Sequence, residues 1–315
     1  MPKTSDSLPF LRGILSPVVT PFKANLDIDK PRFVAHCRWL LDNGCDGLAV
    51  FGTNSEANSM TVQEKIELLD ALLAAGVDPA RLMPGTGACA IDDAVTLTAH
   101  AVKSGCAGVL MLPPFYYKNV PDEGLARYFG EVISRVDDPR LRVYLYHIPP
   151  VAQVGISLDL IGRLRREWPD TVVGIKDSSG DWNNTKAVLD AFADEGFQVF
   201  AGSDDFLLAN MRNGGVGCIT ATGNVNSPAI ARLYASWDEE GADEKQRALA
   251  QTRSLLAEYP MIPALKAAIA QYSGDPDWAT VRPPLQTLAP AQAESLAKLL
   301  AHDGFTMPGL ARPGS

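Results

Sequence analysis

Lys176 stands at the end of a short apolar run in the stretch 171–181, TVVGIKDSSGD. Val172, Val173 and Ile175 are β-branched, no charge interrupts them, and the length suits a strand buried on both faces. Asp177, Ser178, Ser179 and Gly180 then read as a loop, with Asp181 or Asn183 placed to cap a helix over 185–192. Many lysines follow strands only because the chain surfaces there, so the rest of the sequence has to decide what this one does. Tyr146, in the run RVYLYHI, offers a phenol that can give and accept a proton. Gly52, Thr53 and Asn54 offer backbone N–H, hydroxyl and amide donors ahead of a helix, a fit for a small carboxylate. An ordinary lysine has a pKa of about 10.4 and is neutral in roughly one molecule in 10^3 at pH 7; a nucleophilic one needs about 7–8, which desolvation supplies. A lysine with tyrosine and hydroxyl groups and no metal-binding cluster points to amine catalysis.

Such groups must be brought together by the fold. From residue 14 onward, short apolar runs alternate with longer amphipathic ones, the pattern of parallel strands each followed by a crossover helix. Strands are expected at 14–20, 47–51, 82–85, 108–112, 142–148, 172–176, 198–201 and 217–220. Helices are expected at 29–43, 61–75, 91–103, 125–136, 158–166, 185–192, 206–211 and 229–237, the second opened by a capping box of Thr61 and Glu64. Eight strand–helix units in about 240 residues suit an α/β fold of the (β/α)8 TIM-barrel kind. An open doubly wound sheet is the alternative, but no GxGxxG follows the first strand. The expected organisation is a catalytic barrel over 1–240 and a helical extension over 241–315 packed on it, with helices at 246–258, 262–272 and 291–301.

Composition narrows the function classes. The 315 residues are 46% hydrophobic and 21% charged, ordinary for a globular chain with a large core. A net charge of −9 provides no basic face, which argues against nucleic acid or an anionic membrane as partner. The opening MPKTSDSLPF has no basic segment leading into a long apolar run, so a cytoplasmic protein is expected. Cys37, Cys45, Cys89, Cys106 and Cys218 are widely spaced and form no CxxC pair, as expected of reduced core residues. His36, His100 and His302 fall on expected helices and suggest neither a metal site nor a Ser/His/Asp triad.

In a (β/α)8 barrel the C-terminal strand ends form the active face. That rule collects Gly52, Thr53 and Asn54 from the second strand, Tyr117 beside Phe115 and Tyr116 from the fourth, and Tyr146 and His147 from the fifth. Lys176 comes from the sixth, Gly202 and Ser203 from the seventh, and Thr220 from the eighth. His147 reads as structural or substrate-orienting, because amine catalysis does not require it.

These stretches resemble the dihydrodipicolinate synthase and N-acetylneuraminate lyase family of class I, pyruvate-dependent Schiff-base aldolases. GILSPVVTPF is similar to its opening strand, GTNSE to its GTTGE or GSTGE loop, and GTGA to its third-strand loop. PFYYKNVPDEGL resembles its tyrosine loop, LYHIPP its YNVP strand, GIKDSSGD its Schiff-base strand and AGSDD its seventh-strand loop. Seven matches in the same order, between residues 13 and 285, are specific. The resemblance implies a Lys176 imine with pyruvate or another 2-oxo acid, proton shuttling by Tyr146, and carboxylate binding and relay by Thr53 and Asn54. Tyr117 would complete the relay, often across a subunit interface. No separate cofactor is implied; the partners are a 2-oxo acid and an aldehyde, and the assembly a homo-oligomer, dimer or tetramer. The sequence also departs from the pattern. Asn54 stands where a threonine is usual and Ser55 where the family has glycine; Val151 replaces the arginine with which the synthases hold the carboxylate of aspartate semialdehyde. The seventh-strand loop lacks the tyrosine-rich sialic-acid pattern. An aldolase-type lyase is therefore expected, with 4-hydroxy-tetrahydrodipicolinate synthase proper, a Schiff-base dehydratase of a sugar-derived 2-oxo acid, and a non-catalytic 2-oxo acid sensor as alternatives.

Overall fold

Short apolar runs become buried parallel strands in the computed structural model, which describes residues 10–310. The N-terminal stretch 1–9 considered above, and the last five positions, lie outside the described residues. The first half of the chain forms β1 (Gly13–Ser16), α1 (Lys30–Asp42), β2 (Gly47–Leu48), α2 (Val62–Ala74), α3 (Ile91–Lys103), β3 (Val109–Met111), α4 (Asp122–Val136) and β4 (Val143–His147). It continues with α5 (Pro149–Ala152), α6 (Leu158–Glu167), β5 (Val172–Asp177), α7 (Trp182–Phe192), β6 (Gln198–Ala201), α8 (Leu207–Arg212), β7 (Gly217–Ile219) and α9 (Gly223–Ala235). Three more helices follow: α10 (Ala242–Ala257), α11 (Met261–Ser273) and α12 (Pro290–His302).

The described strands form one parallel sheet of seven in the order β2-β1-β7-β6-β5-β4-β3. The expected third strand, 82–85, is not a regular strand, because Pro84 has no N–H to donate to a ladder. It nevertheless spans the gap between the two sheet edges. On one side the N–H groups of Met83 and Gly85 donate to the carbonyls of Leu48 and Val50 at 2.9 and 2.7 Å. On the other, Ala107 and Leu110 N–H donate to the carbonyls of Leu82 and Pro84 at 3.0 and 2.9 Å. The sheet is thus curled and closed through this stretch, a TIM-barrel-like α/β fold.

Other boundaries shift for local reasons. β1 stops at Ser16 because Pro17 follows; beyond it, Val19 N–H donates to Asn224 Oδ1 at 2.9 Å, while Asn224 Nδ2 donates to the Pro17 carbonyl at 3.1 Å. The same asparagine lies in the first turn of α9, which begins six residues before the expected 229 and kinks at Asn226, ahead of Pro228. α5 was not anticipated: Pro149 and Pro150, expected to end β4, occupy the start of a one-turn helix, where a missing N–H costs nothing. The capping box of Thr61 and Glu64 forms as expected. Cys37, Cys45 and Cys218 are buried, but Cys89 is exposed and Cys106 half-buried, so not all five are core residues.

Inside the sheet, Tyr144, Phe200, Leu110, Met83, Leu15 and Ile219 make a packed interior. Gly174 is required there: a Cβ on it would lie 2.6 Å from the Tyr144 ring and 2.5 Å from the Gln198 carbonyl oxygen. Outside, the helices cover the strands in two further apolar clusters. Residues of α10, α11 and α12 join the first of these through Leu256, Leu265 and Leu300, each fully buried. Burial of a leucine contributes ~1.5–3 kcal/mol, so these three side chains hold the C-terminal helices firmly against the rest.

Candidate active site

Parallel pairing of β4 with β5 puts Tyr146 directly opposite Lys176, and pairing of β5 with β6 puts Phe200 opposite Lys176 on the other side. Two aromatic neighbours thus exclude water from the lysine stem, and Lys176 is 3% exposed. Its Nζ lies 4.4 Å from the centre of the Tyr146 ring. The phenol oxygen of Tyr146 shares a hydrogen bond of 3.2 Å with Thr53 Oγ1. Amine, phenol and hydroxyl therefore lie in sequence, close enough to pass a proton from one oxygen to the next.

Thr53 is held by an unusual loop. Phe51 and Glu56 both have positive φ, 63° and 57°, conformations that a side-chain-bearing residue adopts only when its surroundings demand it. Two anchors supply the demand. Gly52 N–H donates to Ser55 Oγ at 3.1 Å, and Ser55 Oγ donates in turn to the Val18 carbonyl. Glu56 forms a fully buried ion pair with Lys266 of α11, and its other oxygen accepts from Arg282 N–H at 2.8 Å. Ser55, a departure in sequence, thus acts as a clasp for the loop.

On the far side, Asp177 accepts from Ser179 N–H at 2.8 Å, Asn184 Nδ2 at 2.9 Å and Thr185 Oγ1 at 2.7 Å, which fixes the loop after Lys176 against the start of α7. Asp181 caps that helix, accepting from Asn183 N–H at 2.9 Å. Gly202 is needed where it stands, since a Cβ there would come within 2.1 Å of Ser178 Oγ.

A cavity of about 390 Å³ opens between these loops, within the usual size for a small-molecule site. Six of the ten sequence-selected residues line it: Lys176, Tyr146, Thr53, Asn54, Gly202 and Ser203. The other four do not. Gly52 lies behind Thr53, tied to Ser55. Thr220 is fully buried below the cavity, where its Oγ1 donates to Asp204 Oδ1 at 2.6 Å. His147 Nδ1 accepts from Ile156 N–H at 2.9 Å, which leaves that nitrogen unprotonated; burial lowers its pKa, with Asp177 acting in the opposite direction. Its role is to hold the 148–156 loop. Tyr117 is 74% exposed and packs edge-on to Tyr116 at 5.4 Å, outside the cavity of its own chain.

Sequence reasoning passed over Arg253, which also lines the cavity. Asp204 Oδ1 accepts from its Nη1 at 3.0 Å, and Asp205 Oδ2 lies 3.0 Å from its Nε. A signal was available. Arg253 sits four residues after Leu249 and three before Leu256, on the stripe that α10 buries, where an arginine needs a reason. Asp177, Ser178 and Gly180 line it too, and the remainder of the wall is apolar, from Ile148 after β4, Val151 of α5, Phe206 before α8, Ala221, residues 260–263 at the start of α11, and Leu285.

The family model described as the dihydrodipicolinate synthetase family matches residues 10–303. A DapA-like lyase of Chloroflexus aurantiacus is 33% identical over 92% of this chain and 95% of its own length. Among solved structures, dihydrodipicolinate synthase from Agrobacterium tumefaciens superposes with a TM-score of 0.85 at 30% identity, covering 92% of this chain and 98% of that one. YagE of Escherichia coli K12, a member of the dihydrodipicolinic acid synthase family crystallised with pyruvate, gives 0.87 at 26% identity over 94% and 100% of the two chains.

Proposed function

Because the chain belongs to the dihydrodipicolinate synthetase family, and so to a family of aldolases, lyases and synthases, we propose that it makes or breaks a carbon–carbon bond through an imine between Lys176 and pyruvate or a closely related 2-oxo acid. Lys176 Nζ attacks the keto carbon, and loss of water forms the imine. A proton then leaves the adjacent methyl carbon, giving an enamine, a carbon nucleophile at neutral pH. The enamine carbon attacks the aldehyde carbon, and the aldehyde oxygen takes a proton delivered through Tyr146. Water hydrolyses the imine, returning the amine and releasing a 4-hydroxy-2-oxo acid; cleavage is the same path reversed. Tyr146, hydrogen-bonded to Thr53, serves as general acid and base, a role typically worth ~10^2–10^4 in rate. Thr53 and Asn54 receive the carboxylate of the 2-oxo acid. The imine is the electron sink, so this chemistry calls on no added cofactor.

The observation that carries the proposal is the placement of Lys176, buried, on the cavity wall, with its Nζ 4.4 Å from the ring of Tyr146, whose phenol is hydrogen-bonded to Thr53. It is supported by the pyruvate complex described for YagE. Val151, at the place of the synthases' arginine, disfavours aspartate semialdehyde as the acceptor. The exposed pair Tyr116 and Tyr117 fits a homo-oligomer, dimer or tetramer, in which Tyr117 of one subunit completes the relay of the next. The proposal also includes a cytoplasmic site of action and a division into a barrel over 1–240 and a packed helical extension over 241–315.

Mixing the protein with pyruvate and borohydride, followed by intact mass and peptide mapping, tests the chemistry. A reduced pyruvate adduct on Lys176 is expected. Adducts only with longer 2-oxo acids would favour a dehydratase, and no adduct with any would refute imine catalysis at this lysine.

A further inference from the structure

We propose that the acceptor aldehyde taken by this cavity is uncharged and apolar, carrying a branched alkyl or aryl group. The inference rests on the imine chemistry above and adds the class of its second substrate. Its basis is the balance of charge and apolar surface around the cavity. Ile148, Val151, Phe206, Met261, Ile262 and Leu285 line it from four segments of the chain, so apolar side chains form a large part of the wall beyond the reacting lysine. Val151 lines the cavity and is 62% exposed, which places it toward the mouth.

Charged groups on the wall are already committed. Lys176 is consumed by the imine. Asp177 is satisfied by Ser179, Asn184 and Thr185. Arg253 is the remaining cation among the described lining residues, and two carboxylates, Asp204 and Asp205, hold it. Two negative charges against one positive leave that end of the cavity net negative when all three are ionised. A carboxylate or phosphate on the acceptor would lose its water and gain no free counter-ion, an unfavourable exchange. Hydroxylated acceptors fare little better at Ser203, whose Oγ already donates to Asp205 Oδ2 at 3.1 Å and accepts from Asp205 N–H at 3.2 Å. An apolar group, by contrast, displaces water from Phe206, Ile262 and Leu285 without breaking any of these bonds.

The experiment measures kcat/KM for aldol addition of pyruvate to 3-methylbutanal, benzaldehyde, succinate semialdehyde and glyceraldehyde, with the 4-hydroxy-2-oxo acid products identified by mass. Borohydride trapping on the same preparation reports imine formation independently. The expected result is a Lys176 adduct together with kcat/KM at least about tenfold higher for an apolar aldehyde than for the charged or hydroxylated ones, the scale of discrimination an apolar pocket achieves. An adduct with equal or better use of succinate semialdehyde or glyceraldehyde, or with none of the aldehydes turned over, overturns the inference while leaving the imine intact. Absence of the adduct overturns both. A second measurement uses Val151→Arg, an exposed position at which the change is compatible with folding. The ratio of succinate semialdehyde to 3-methylbutanal should rise by at least about tenfold; an unchanged ratio would show that the mouth does not select the acceptor.

Discussion

Replacing Lys266 with methionine removes the cation from the ion pair that anchors the Thr53 loop, and its consequences can be worked out from the structure. Both side chains of the pair are 0% exposed, and Lys266 also lies 4.5 Å from the centre of the Phe22 ring and donates to the Thr280 carbonyl at 2.7 Å. Burial lowers the Lys266 pKa to about 8, so desolvation outweighs the attraction of Glu56. The pair therefore contributes a fixed loop position more than net stability. Removing one member strands the other, at a cost of ~3–5 kcal/mol. With an unfolding entropy of about 2.1 cal/mol/K per residue, 315 residues give ~0.66 kcal/mol/K, so the melting midpoint should fall by about 5–8 °C. The double variant Glu56→Gln with Lys266→Met, which removes both buried charges of the pair, should recover most of that loss. Its kcat/KM should stay low, because Thr53 and Asn54 are two or three residues from the lost anchor, and misplacement by about 1 Å can cost ~10^2 in rate. Thermal unfolding followed by circular dichroism, with kinetics on the same samples, provides the readout. A single variant that melts within about 1 °C of the parent, or a double variant no more stable than the single, would refute this account of the pair.

Four further outcomes are expected. Lys176→Ala should abolish turnover while keeping the parent's circular dichroism and oligomeric state; near-normal turnover with any good substrate would end the imine mechanism. Thr53→Val, which removes the partner of the Tyr146 phenol, should lower kcat by ~10–10^3 with little change in melting temperature, as seen by steady-state kinetics. Gly202→Ala forces its Cβ against Ser178 Oγ and the Asp177 carbonyl, at 2.1 and 2.6 Å before relaxation, and should cost ~1–3 kcal/mol in denaturant unfolding. His36 is fully buried between Trp39 and Trp278, and burial depresses its pKa from 6.5 to about 4. A depressed folded pKa means stability that is present above pH 6.5 and lost as pH falls toward 4, about 3 kcal/mol from this group. Urea unfolding of His36→Phe at pH 7 and 4.5 should show a smaller difference than the parent, and an equal one would exclude His36 as a source of acid lability.

The sequence alone determined the local events. Alternation of β-branched runs with amphipathic stretches set the order of strands and helices, because a buried parallel strand and a crossover helix have different apolar periods. The end of one such run singled out Lys176 as a candidate, and the Thr61 cap was readable, with Asp181 as one of two candidates for the cap of α7, because capping is settled by residues two or three apart. What needed the tertiary structure was every relation between distant segments. The 82–85 stretch closes the sheet despite Pro84 because its neighbours on both sides supply partners. The order of the strand ends alone could not separate Thr220, buried beneath the cavity, from Ser203, on its wall. Arg253 enters the site, and Lys266 anchors it, only because α10 and α11 pack on the same core as the strands. A side chain's type and spacing fix what chemistry it can do; the charge that faces it across a cavity depends on chain folding over tens to hundreds of residues.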